Sequence, residues 1–224
     1  MFVSIHQYHF QMRYLLSLLL LTFFQSYAAT LEVVDQHQKP VHNAVIEYHP
    51  AGKTSTPLSQ EPAIMDQIKK RFVPELLVIR QGRWVNFPNS DNIRHHVYSF
   101  SKAKPFELKL YSGRPKAPVE FEHSGVVILG CNIHDSMVGY IYVAQSEFWV
   151  KTNEKGQALI NPTPNSQITI WHAHQNKGAE FQHIVILNSL ENPQENFYRF
   201  KIEVTAPKPR DSFRDQYSDG IQRR

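Results

Sequence analysis

A single cysteine, Cys131, occurs in the 224 residues. No internal disulfide can form, and iron–sulfur ligation fails for want of further thiolates. Long hydrophobic runs are also scarce: Leu15 to Phe24 is ten residues long, whereas crossing a bilayer takes roughly 20. No later stretch is apolar enough to span a membrane. Charge of one sign is missing too, since 24 Lys and Arg face 20 Asp and Glu for a net +4, which does not call for nucleic acid. Nothing in the chain resembles a phosphate loop, a pair of catalytic carboxylates or an aromatic-basic nucleic-acid surface. Asn161-Pro162-Thr163 is excluded as a glycosylation acceptor by its proline.

The apolar run follows Arg13 and precedes Ser26-Tyr27-Ala28, small residues where signal peptidase needs them. Residues 1–28 therefore read as a signal peptide, and the mature chain as periplasmic or secreted. The polar stretch before Met12 is unlike a usual leader, which leaves Met1 and Met12 both open as the start. No cysteine follows the cleavage site, so a lipoprotein anchor is not expected. Removing 28 of the 224 residues leaves 196 with a net charge of +3, enough for one large or two small domains. A lone thiol in an oxidising compartment needs protection, by burial or by a metal.

The mature sequence reads as strands and turns. Leu31 to Val34 and Val41 to Tyr48 flank the turn Asp35-Gln36-His37-Gln38-Lys39-Pro40. Residues 49–61, rich in Pro, Ser and Thr, read as a loop, and Met65 to Lys70 as at most one helical turn. From Arg71 the pattern tightens: Phe72 to Ile79 is one strand, and in Trp84-Val85-Asn86-Phe87 the pair Trp84 and Asn86 faces opposite to the pair Val85 and Phe87. Strands follow at His95 to Phe100, Phe106 to Leu110, Val119 to Glu122, Val126 to Leu129 and Val138 to Val143. Residues 148–204 supply further strands, and 206–224 read as a flexible polar tail. The fold class is all-β, a sandwich or barrel.

Between two of these strands lies Gly130-Cys131-Asn132-Ile133-His134-Asp135-Ser136-Met137. Thiolate, imidazole and thioether stand at i, i+3 and i+6, and a short loop can turn all three toward one point. Soft sulfur ligands select copper(I), imidazole also suits copper(II), and two imidazoles, a thiolate and a weak axial methionine make an electron-transfer copper arrangement. Arg94-His95-His96-Val97, at the start of a strand, offers the second histidine. Adjacent strand residues face opposite ways, so one of His95 and His96 must look away. Zinc would accept thiolate and imidazole but pairs poorly with a thioether. A thiol nucleophile beside His134 would give Met137 no task. Met137 could instead fill an apolar gap.

On Trp84 to Phe87, His95-His96-Val97 and Cys131-x2-His134-x2-Met137, residues 62–145 resemble the type 1 copper proteins, the cupredoxins. The loop spacing is most like amicyanin, while plastocyanins share it with a longer second gap. The resemblance implies a Greek-key β-sandwich and one copper ion cycling between Cu+ and Cu2+. It implies His95, Cys131, His134 and Met137 as ligands and a carrier of single electrons rather than an enzyme. In the family the first histidine precedes an asparagine that ties the ligand loops together; here His96 stands at that position and is the rival ligand. His134 would be the edge through which electrons leave, with Ile133 and Met137 in a small apolar docking face. The partner implied is a redox protein or periplasmic enzyme. A copper-binding accessory or delivery protein without electron transfer is the alternative.

Residues 30–48, Thr152 to Gly156 and Pro164 to His172 also resemble parts of the carboxypeptidase-regulatory-like β-sandwich. That likeness implies a discontinuous accessory sandwich of residues 29–61 and 146–205 with the copper domain inserted in it. Trp171-His172-Ala173-His174 puts two histidines on one strand face, better read as ordinary polar residues than as a second metal site. His37, His42, His49, His123 and His183 have no spacing that singles them out.

Overall fold

The computed structural model describes residues 28–50, 56–162, 166–187 and 196–205. The expected leader up to residue 27 and the expected tail over 206–224 lie outside them. Seventeen strands occur among the described residues. They are β1 (Ala29–Val34), β2 (Val45–Tyr48), β3 (Ala63–Ile64), β4 (Asp66–Ile68), β5 (Arg71–Val73), β6 (Leu76–Arg80), β7 (Arg83–Asn86), β8 (His95–Ser99) and β9 (Phe106–Tyr111). There follow β10 (Val119–Phe121), β11 (Gly125–Gly130), β12 (Val138–Ala144), β13 (Phe148–Lys151), β14 (Gln157–Ile160), β15 (Gln167–Trp171), β16 (His183–Ile186) and β17 (Phe197–Lys201). No helix among the described residues is long and apolar enough to cross a membrane.

The strands form an all-β structure with several mixed sheets. A five-stranded sheet runs β6-β12-β11-β8-β9 and a three-stranded sheet β10-β7-β3, with β4 and β5 paired beside them. A four-stranded sheet, β13-β2-β15-β16, and a three-stranded sheet, β14-β1-β17, are built from residues nearer the two ends of the described chain. Parallel pairing of β6 with β12, of β3 with β7 and of β1 with β17 mixes otherwise antiparallel ladders.

Side-chain alternation divides the buried strand residues among three cores. Val85, Phe87, Phe121, Val97, Val127, Leu129, Ile141 and Val143 form one cluster, joined by Cys131 and Met137. Leu31, Val33, Ala44, Ile46, Ile160, Ile168 and Ile170 form a second. The odd-numbered positions of β12 serve the first cluster, while Tyr140, Tyr142 and Ala144 turn the other way and meet Val45 and Trp171 in a third. β12 is thus covered on both faces, which is why Val138 to Ala144 reads as a nearly unbroken apolar run. Gly139 is required in it: a Cβ there would stand 2.8 Å from that of Phe72, in β5.

Trp171 is fully buried at this third contact, its ring 5.7 Å from Tyr142 and 5.9 Å from Tyr140, and its Nε1 donates to Ala179 O at 2.7 Å. Beside it Glu47 accepts from Tyr142 Oη at 2.8 Å and from Ser146 N at 2.6 Å. The buried carboxylate therefore has donors on both oxygens, as burial demands. Trp171→Ala leaves an indole-sized void and the Ala179 carbonyl without its donor. It is expected to cost about 3–5 kcal/mol, measured by chemical denaturation.

Two expectations are corrected. Met65 to Lys70 is no helical turn: Asp66–Ile68 pairs antiparallel with Arg71–Val73. Lys69 and Lys70, with φ of 51° and 58°, make a two-residue hairpin turn of the type that needs positive φ at both centres. Phe72 to Ile79 is not one strand either. Pro74, without an N–H to donate, separates β5 in the hairpin from β6 in the five-stranded sheet.

Candidate metal centre

His95 opens β8 opposite Tyr111 of β9, fully buried. The loop between β11 and β12 carries the other candidates. It folds by two successive turns, with His134 N donating to Cys131 O at 3.4 Å and Met137 N to His134 O at 2.9 Å. Cys131 and Met137 are thereby directed into the same core cluster while His134 stays partly exposed.

Cys131 Sγ lies 3.8 Å from His95 Nδ1 and 3.8 Å from His134 Nδ1. The donor atoms of these three residues all fall within 4.8 Å of one another, in the one group of this kind among the described residues. An ion about 2.0 Å from nitrogen and about 2.3 Å from sulfur, at near-trigonal angles, separates the two donors by about 3.7 Å. The observed spacing fits that requirement. The imidazole rings of His95 and His134 are 4.9 Å apart between centroids. Burial, then the charges of His95 and Lys70, push the His134 imidazole below its ordinary pKa, against an opposing pull from Asp91. A neutral ring with a free lone pair is the form a metal takes.

His96 goes elsewhere. A register irregularity in the β8–β9 ladder falls between His95 and Val97, and His96 Nε2 meets Glu107 Oε1 at 2.8 Å. Its Nδ1 is buried without a hydrogen-bond partner. Of the four residues expected as ligands, three are brought together at their donor atoms and Met137 is buried in the same cluster.

Sequence reasoning missed Asp91. Its Oδ2 lies 2.7 Å from His95 Nε2, on the side of the ring away from Cys131. The carboxylate is itself held: Lys69 N donates to Oδ1 at 2.5 Å and Lys70 N to Oδ2 at 2.8 Å. Burial raises its pKa, but the hydrogen bonds from Lys70 N, the His95 ring and Lys69 N outweigh that and leave it below the usual carboxylate value. Asn89 completes the support, donating through Nδ2 to Ile93 O and Tyr111 O, each at 2.9 Å, and accepting from Asp91 N at 3.1 Å. Nothing in the sequence tied the Lys69-Lys70 turn to residues 89–92.

His172 and His174 do not form a second group of donors. His172 Nδ1 accepts from His174 N at 3.3 Å, and the rings meet edge to face with centroids 5.4 Å apart. Burial, then the charge of His174, pushes the His172 pKa down to about 4. Lowering the pH from about 6.5 toward 4 protonates this histidine in the unfolded chain before the folded one, so stability falls across that window. The loss is on the order of 2 kcal/mol. Urea denaturation at stepped pH measures it as the part of the slope that His172→Gln removes, with the lowered pKa values of His134 and His183 accounting for a share that stays.

No protein-family model matches the chain, and no curated protein does. Solved structures give partial likenesses. A copper-containing nitrite reductase from Thermus scotoductus SA-01 is 23% identical over 44% of this chain and 26% of its own, with a TM-score of 0.37. The chain thus spans about a quarter of that protein. A purple cupredoxin from Nitrosopumilus maritimus is 22% identical over 37% of this chain and 99% of its own, TM-score 0.33. An amicyanin mutant in its reduced Cu(I) form at pH 4 is 18% identical over 46% and 99%, TM-score 0.33. Likenesses this partial carry no weight for the chemistry, for which the side chains must speak.

Proposed function

We propose that His95, Cys131, His134 and Met137 hold one copper ion, and that the chain carries single electrons between redox partners in the periplasm or outside the cell. The observation behind this reading is one thiol sulfur set 3.8 Å from the Nδ1 atoms of two histidines on different elements. Copper supplies a one-electron couple when bound. The chain supplies its setting: packing holds Cys131 and Met137, Asp91 orients His95, and the partly exposed His134 is the edge facing a partner. Zinc accounts for the thiolate and the imidazoles but not for the placement of Met137. We read the chain as a carrier rather than an enzyme.

Around it we infer a cupredoxin domain over residues 62–145, inserted into an accessory sandwich formed by residues 29–61 and 146–205. Separate cores support the division, one drawn from Met65 to Val143 and the other from the two ends. The contact through Trp171 and Tyr142 would join them.

Copper(II) added to the protein should give an intense visible thiolate-to-copper band that disappears on reduction. A colourless protein with stoichiometric copper sinks the type 1 reading. A coloured one that exchanges electrons only over minutes with small redox reagents favours the alternative, a copper accessory or delivery protein. Replacing the histidines singly separates the rivals: His95→Ala should lose the band, and His96→Ala should keep it.

A further inference from the structure

A cleft of about 520 Å³ lies beside the candidate centre, and the reading above leaves it without a task. Tyr98, Phe100, Gly130 and Cys131 are among the residues that line it, and its charged side chains, Asp135 and Glu180, are both acidic. Phe100 is 86% exposed, so its ring is free to meet a molecule entering the cleft. Tyr98 is 5.2 Å from Phe100 between ring centroids and 5.5 Å from His96. The Tyr98 ring also packs closely on the chain next to Cys131: a Cβ on Gly130 would stand 2.7 Å from its Cζ and Oη. The glycine thus lets an aromatic ring touch the backbone one residue from the thiol.

Aromatic faces and carboxylates together favour an organic cation, through attraction to the ring quadrupoles and to the negative charges. The cleft falls within the size range of small-molecule sites. We propose that it is a second binding site, apart from the His134 edge, for a small planar aromatic amine that delivers an electron to the centre. The electron step rests on the copper reading. In it the amine loses one electron and becomes a radical cation, copper(II) becomes copper(I), and no bond forms or breaks. Asp135 and Glu180 stabilise the positive charge that appears on the amine.

Binding is tested first on the metal-free protein, using phenyltrimethylammonium as probe and NMR shifts of the Tyr98 and Phe100 ring protons as readout. Phe100→Ser and Glu180→Gln are each expected to weaken binding about fivefold, and benzenesulfonate, with the opposite charge on the same ring, is expected not to bind. Unchanged affinity in both variants, or equal binding of the sulfonate, overturns the site. Phe100→Ser alters a side chain already in solvent, so the fold is preserved. On the copper-loaded protein, reduction by N,N,N′,N′-tetramethyl-p-phenylenediamine should slow about fivefold in Phe100→Ser, while reduction by ascorbate stays as it was. Equal effects on the two donors overturn the delivery step. A missing visible band would count against the copper reading and leave the metal-free titration to decide the cleft.

Discussion

Cys131→Ser is expected to abolish the visible band completely and to weaken copper(I) binding by more than about 100-fold. Loss of a supporting residue alone costs 10–100-fold, and here the shared donor itself is removed. Both Nδ1 atoms are spaced around this sulfur, and a serine hydroxyl is neither ionised at neutral pH nor soft enough for copper(I). The fold should survive, because oxygen for sulfur is a small change even at a site only 3% exposed. Far-ultraviolet circular dichroism of the metal-free variant checks that. Met137→Leu is the companion measurement. It conserves volume in a core position and removes the thioether. The band should remain while the reduction potential rises, since losing a donor disfavours the more highly charged ion. An unchanged potential would make Met137 a packing residue.

Asp91→Asn is expected to lower copper(II) affinity 10–100-fold without removing the band. The Asp91 carboxylate stands 2.7 Å from His95 Nε2, so that nitrogen carries the ring proton and Nδ1 keeps its lone pair toward Cys131. The negative charge also makes the imidazole a better donor. An amide has one oxygen where Lys69 N, Lys70 N and the His95 ring now share two. At least one donor must therefore face an NH2 group, and in either orientation of the amide the ring loses the negative charge that holds it. Competition with a chelator gives the affinity, and voltammetry should show a higher potential than in the parent protein. If both stay at parental values, Asp91 serves only to close the loop.

The candidate site divides sharply by range along the chain. Cys131, His134 and Met137 were legible because they sit in seven consecutive residues between two apolar runs, where spacing alone allows convergence. Trp84 to Phe87 and Phe106 to Leu110 were legible because alternation is a local property. The Lys69-Lys70 turn was not, since two lysines give no sign of positive φ without the strands they connect. Period-two parity required that either His95 or His96 look away, yet it could not say which. That depended on the ladder irregularity between His95 and Val97 and on Glu107, a partner eleven residues on.

What the sequence by itself determined is the all-β class and the candidate donors to look for, both of which follow from residue type and short-range order. Tertiary structure alone decided which histidine faces the sulfur, that Asp91 holds it from behind, and that Tyr98 rests on Gly130 beside the thiol. Each of these joins groups from strands or turns distant in the chain. Their meeting is governed by which sheet faces are buried against one another, and pairing and packing set that only when the whole chain has folded.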